Sequence, residues 1–215
     1  MPQTYPRSWI GRTPNAANTR FLLSNKRRVY EKSKPHVPRE RASQGEIAMK
    51  KVIVRGYKDK DREECRALWA ELTQWHRNIY DDPGIGGANP GLYFDEHLEK
   101  VGPRQLIVAS IGSKVVGLVG YIDQEEEIEV EPLIVSRDCR GLGIGTRLLD
   151  EVKRRVQKKK GIKYLSVRPV ARNERAIEYF RSRGFDKIGR IELFIDFSGH
   201  EWKKDLSLFE HQFEY

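Results

Sequence analysis

The chain has 215 residues and a formal net charge of +9, with 33% of residues charged and only two cysteines. That length holds one large domain, or one domain with an extension. Two cysteines exclude a disulfide scaffold, and no apolar run is long enough for a signal peptide or a membrane span, so the chain reads as soluble and cytoplasmic.

The positive charge is unevenly placed. Residues 1–48 hold 10 Lys+Arg against 3 Asp+Glu, a balance of +7, and the remainder holds 30 against 28, a balance of +2. The near-neutral remainder argues against nucleic acid as the partner of the domain. The basic extension, with Tyr5, Trp9, Phe21 and Tyr30 scattered through it, leaves open a contact with RNA or a partner surface. It has no sustained helical or strand period and reads as a solvated, poorly ordered arm. A domain over residues 49–215 follows, beginning at Met49.

Lys51 to Arg55 alternates as a short strand. Asp61 with Glu64 predicts a capping box, and Cys65, Leu68, Trp69, Leu72, His76 and Ile79 then trace one helical face. His76 on that face reads as a packed histidine. Asp81 to Gly91 is a loop rich in Gly and Pro, and a short helix is predicted over Phe94 to Val101. Gln105 to Ile111, Lys114 to Ile122 and Glu127 to Val135 read as three antiparallel strands. A helix follows to about Lys160, with Ile144, Leu148, Val152 and Val156 on one stripe. Ile162 to Val167 is a strand reached by a right-handed crossover. Asn173 to Arg183 is a helix stopped by Gly184. Phe185 to Phe197 reads as a last strand, and the tail from Gly199, with Trp202, Leu206, Leu208, Phe209 and Phe213, as a packing segment.

The stretch Arg140-Gly141-Leu142-Gly143-Ile144-Gly145-Thr146 ends a loop and opens a helix. Such a turn exposes backbone N–H groups at the positive end of the helix dipole and suits a pyrophosphate. A dinucleotide fingerprint needs glycine where Thr146 stands, and a Walker loop fails at the same residue and has no following lysine. The pattern R-x-x-G-x-G is met by Arg140, Gly143 and Gly145. Downstream, Asn173, Ala176, Ile177, Gly184 and Phe185 fit N-x-x-A-I-x-x-Y-x-x-x-G-F in spacing. With Leu133-x-Val135 ahead of Arg140, the chain resembles the GNAT superfamily of acetyl-coenzyme A-dependent N-acetyltransferases over about residues 50–197.

The resemblance implies an α/β fold, a mixed and mostly antiparallel sheet splayed at the acetyl-coenzyme A site and flanked by helices. It implies that the backbone of Leu133, Ile134 and Val135 pairs with the pantetheine amides, that residues Arg140 to Thr146 hold the pyrophosphate, and that Asn173 hydrogen-bonds the coenzyme arm. The family tyrosine that protonates the leaving thiolate falls on Phe180, which has no proton to give. Tyr179 is one residue early and about 100° away on the helix.

Glu127, Glu129 and Glu131 alternate along one strand and so share a face. That is either a solvated outer face or, on a central strand, an acidic lining that recruits a cationic acceptor and holds one raised carboxylate pKa. Glu129 matches the base position of the histone-acetylating branch of the family, with Glu131 second. A strand N–H near Val135 would stabilise the oxyanion. No metal is implied. The activity expected is acetyl transfer from acetyl-coenzyme A to a primary amine by direct attack. The alternatives are an acyl-coenzyme A sensor without turnover and an acetyltransferase tethered to RNA or ribosomes through residues 1–48.

Overall fold

The computed structural model describes residues 51–197, 199 and 201–215. The basic extension therefore lies outside the described residues. A five-stranded sheet runs in the order β1 (Val52–Gly56), β2 (Leu106–Ile111), β3 (Lys114–Asp123), β4 (Glu127–Val135) and β5 (Tyr164–Val167). The first three pairings are antiparallel and β4 with β5 is parallel, as a strand–helix–strand crossover requires.

Helices cover both faces of this sheet. Helices α1 (Arg62–Tyr80) and α2 (Tyr93–Val101) bury Leu68, Trp69, Phe94 and Leu98 against Leu106, Val108, Leu118 and Ile134. On the other face α3 (Ile144–Val156) buries Ile144, Leu148, Leu149 and Val152 against Ile107, Ala109, Val119 and Ile128. Successive strand residues point to opposite faces, so Leu106 to Ala109 can be 0% exposed without a break. The apolar stripe read from the sequence is the face that α3 presents.

Several boundaries differ from expectation. Asp61 caps nothing on α1. Its carboxylate accepts from the Lys58 N–H at 2.9 Å and forks onto Arg55 at 2.6 and 2.8 Å, tying the start of the helix to β1. Helix α3 stops at Val156 rather than near Lys160, and turns lead to Gly161 at φ +86°. Helix α4 (Glu174–Arg181) stops two residues short of the expected Arg183, and the turn after it closes at Gly184, whose φ of +94° lets the Phe185 N–H reach back to the Phe180 carbonyl at 3.1 Å.

The strand expected over Phe185 to Phe197 is absent. Residues 186–197 take no regular structure, and Ile188, Ile195 and Phe197 are 74, 77 and 92% exposed. An alternating apolar run is competent for a strand, but pairing and burial have to come from a neighbour, and among the described residues the outer edge of β5 pairs with nothing. The tail instead forms a hairpin, β6 (Leu206–Leu208) with β7 (His211–Phe213). Buried Arg172 anchors it, donating to the carbonyls of Tyr215, Glu201 and Tyr80 at 2.7, 3.3 and 3.4 Å beneath the Trp202 and Tyr80 rings.

Candidate active site

The sheet opens where β4 and β5 part. Their register runs from Glu127↔Tyr164 to Val130↔Val167 and stops there, while β4 continues to Val135. Leu133, Ile134 and Val135 stay paired to β3 on one side and, among the described residues, have no strand on the other. An extended chain of amides could pair with that free edge as a strand does. One acceptor on it is taken, since the Val135 carbonyl receives Arg140 Nε at 3.0 Å.

Above this edge lies the glycine turn. Gly141 and Gly143 have φ of +81° and +73°, and a Cβ on either would meet nothing within 4 Å. They are glycine for backbone conformation, with open space in front of them. Gly143 is the N-cap of α3 and has no side chain to cap it, so the first N–H groups of the helix at Ile144, Gly145 and Thr146 have no side-chain partner from the cap. An uncapped helix N-terminus facing open space fits the diphosphate of a coenzyme. Gly145 differs, since its Cβ would touch the Tyr179 hydroxyl at 3.3 Å. Leu142 is partly buried, with Ile144 fully in the core.

Asn173 is the N-cap of α4. Its Oδ1 accepts from the Ala176 N–H at 3.3 Å and also from Trp75 Nε1 at 3.3 Å. Phe180 packs edge-on to Phe185 and Tyr179 with ring centres 5.5 and 5.3 Å away. The Tyr179 hydroxyl is buried against Gly145, towards Thr146 and Arg183, without a full hydrogen bond, and burial pushes its pKa up. It is directed at the first turn of α3.

Glu127 and Glu129 share a face, opposite Ile128 and Val130, which pack towards α3. Both reach Arg168. Glu129 is 1% exposed and paired to Arg168 Nη1 at 2.5 Å, with Gln124 Nε2 at 3.5 Å. Glu127 accepts from the Ser166 hydroxyl and lies 3.9 Å from Arg168 Nη2. Glu131 is partly buried. Burial pushes its carboxyl above the usual range against the pull of Lys100 and Arg168.

Glu131 stands at a bulge where β4 slips against β3 between Val130 and Leu133. The bulge needs Gly120, because a Cβ there would land on the Glu131 carbonyl and lie within 3.0 Å of His97 Nε2. His97 is 5% exposed beside Trp69, and burial lowers its pKa to about 4. His76 is likewise buried and lowered to about 4, a packed histidine as expected. Among the described residues no cluster of His, Cys, Asp or Glu is placed to hold a metal.

Residues 64–185 match the acetyltransferase (GNAT) family. The chain belongs to that family. Among solved structures it resembles the tetramutant of the BH1408 protein from Bacillus halodurans, with 16% identity over 67% of this chain and 99% of that one and a TM-score of 0.57. It also resembles an acetyltransferase of the GNAT family from Staphylococcus aureus Mu50, with 15% identity over 62 and 84% of the two chains and a TM-score of 0.52. A third is AAC(6')-Iy, solved with the bisubstrate analogue CoA-S-monomethyl-acetylneamine, with 16% identity over 68 and 98% and a TM-score of 0.50. At these identities the likeness is one of fold. No curated protein matches the chain.

Two contacts of this GNAT domain were not anticipated from sequence. Arg168 lies one step beyond the last β4–β5 pair, and only the parallel register puts it beside Glu127 and Glu129. Glu71 and Trp75 of α1 reach the segments after β4 and at the start of α4, Glu71 accepting from Arg137 N–H at 2.6 Å and from Arg140 Nη2 at 3.2 Å, and Trp75 donating to Asn173. Arg140 is thus shared between Glu71 and Val135 rather than free at the mouth of the turn. The acidic stripe hinted at a cation. Nothing local marked the contacts of α1.

Proposed function

We propose that this chain transfers an acetyl group from acetyl-coenzyme A to a primary amine by direct attack. The observation that carries the reading is the coincidence, on the single strand β4, of a raised carboxylate at Glu131 with a free backbone edge at Leu133 to Val135. The uncapped start of α3 lies next in the chain. Acetyl-coenzyme A supplies the thioester. Residues Arg140 to Thr146 hold its diphosphate, the free edge of β4 its pantetheine amides, and Asn173 its arm.

Glu131 is the base in this reading. Glu129 was the first expectation, but a carboxylate 1% exposed and bound to Arg168 at 2.5 Å is shielded from an incoming ammonium. Its role becomes to hold Arg168 and the strand. Glu131 combines partial exposure with a raised pKa, which makes it a better proton acceptor near neutrality. It takes a proton from the acceptor ammonium, directly or through one water. The amine forms the new C–N bond as the C–S bond breaks, its second surplus proton passing through water to the departing thiolate or to solvent, and N–H groups at the Val135 end of β4 face the developing oxyanion. With Phe180 in place of the tyrosine, no side chain protonates the thiolate. A thiol pKa near ~8.5 makes thiolate a workable leaving group without that help.

Phe180 also supports a second reading, a domain that binds acetyl-coenzyme A without turning it over. Incubation with acetyl-coenzyme A and a mixed panel of amines and peptides, read by mass spectrometry, separates the two. Acetylated product supports transfer. Micromolar coenzyme binding by calorimetry with no product across the panel establishes the sensor. No helix among the described residues is long and apolar enough to cross a membrane, and Cys65 and Cys139 are unpaired and buried. Free thiols fit a reducing compartment, and we place the protein in the cytoplasm.

A further inference from the structure

One turn of α1 reaches both lips of the opening in the sheet. Glu71 holds the Arg137 N–H and Arg140 at the end of β4, and Trp75 holds Asn173 at the start of α4. Residues four apart on a helix stack on one face, about 5–6 Å between Cβ atoms. The helix is thus a short rigid spacer between two segments that belong to the coenzyme site.

The Trp75 contact settles which way the Asn173 amide faces. An asparagine oxygen has two lone pairs. The Ala176 N–H takes one at 3.3 Å and the Trp75 indole N–H the other at 3.3 Å. Turning the amide over would bring its NH2 against two donors, so the indole makes that orientation unfavourable. The NH2 then points away, with no partner among the described residues. The Arg175 guanidinium over the Trp75 ring at 5.6 Å adds a second restraint on the indole.

We infer that Trp75 is a positioning residue of the donor site, orienting Asn173 so that its NH2 is offered to a carbonyl of the coenzyme arm. This rests on the reading of Asn173 as a coenzyme contact. It goes further by assigning to α1, the helix on the glutamate face, control over a residue of the coenzyme face. Trp75 contributes no contact to the reacting atoms.

The test uses the full chain and calorimetry with acetyl-coenzyme A. Trp75→Phe keeps an aromatic ring and removes only the N–H donor and part of the ring area. It is expected to weaken coenzyme binding about 3- to 10-fold, the range of one hydrogen bond, with acceptor KM at saturating coenzyme changed less than about twofold. Asn173→Ser, which keeps a good N-cap, should weaken binding at least as much. The double variant should be no weaker than Asn173→Ser alone, since the indole then has nothing to orient. A Trp75→Phe chain that melts lower but binds the coenzyme normally overturns the positioning role, as does an additive double variant. Unchanged binding in Asn173→Ser is a different failure, and removes the coenzyme reading of Asn173 itself.

Discussion

The carboxylates of β4 have separate environments, and those environments assign separate tasks. Glu131→Gln is expected to lower turnover about 10²–10⁴-fold with coenzyme affinity retained, since it removes the proton acceptor at constant volume. Because the Glu131 pKa is raised by burial, turnover of the parent should fall as pH drops through that raised value, and Glu131→Gln should lose this acid limb. The same shift has a sign for stability. A raised carboxyl favours the folded state below its unfolded pKa, and that contribution is lost as pH rises through the folded value. Glu129→Gln should instead lower the melting temperature, because half-buried Arg168 loses the charged partner that Glu129, 1% exposed, supplies. If Glu129→Gln is the inactive but stable variant, the base is one pleat away from where we place it. Phe180 gives a second test at this scale. Phe180→Tyr should raise kcat wherever thiolate departure limits, while Tyr179→Phe should leave kcat nearly unchanged, since that hydroxyl faces Gly145. Stopped-flow turnover of the two variants checks this.

At the scale of elements, two glycines serve different physical ends. Gly120 is required by volume. Gly120→Ala drives a methyl into the Glu131 carbonyl, Leu106 and His97, which should cost about 1–3 kcal/mol and disturb the bulge that presents Glu131. Both the melting temperature and turnover should fall. Gly143 is required by dihedral angle, with nothing near its missing Cβ. Gly143→Ala should cost about 1–2 kcal/mol of backbone strain. Its main effect should be on coenzyme affinity, because relief of that strain moves the N–H groups that open α3. Melting curves with and without acetyl-coenzyme A separate the two: the ligand-induced rise in melting temperature should shrink for Gly143→Ala more than for Gly120→Ala.

For the whole molecule, two buried histidines set an acid limit. His76 and His97, on different helices of one face, are both lowered to about 4 by burial. A depressed histidine contributes stability that is complete above its unfolded pKa near ~6.5 and is lost as pH falls through the folded value. The melting temperature should therefore hold steady from pH 8 to about 6.5 and fall progressively towards pH 4. His97→Gln should flatten part of that fall. A parent curve already flat down to pH 4 would show that neither imidazole is buried as described.

The amino-acid sequence alone determined whatever repeats along one element. The four-residue stripe of α3, the apolar runs of β2 and β3, the alternating glutamates of β4, the glycine turn and the Asn173 to Phe185 spacing are all local patterns, and they were enough to name the family and the order of its elements. The strand expected over 185–197 failed for a reason of the same kind, since alternation makes a segment able to pair and cannot supply the strand it pairs with. Tertiary structure decided the rest. Trp75 meets Asn173 across 98 positions of chain, and Arg168 joins Glu127 and Glu129 because the parallel register of β4 and β5 sets it beside them. Such contacts are set by how packed elements lie on one another, and no local period encodes that.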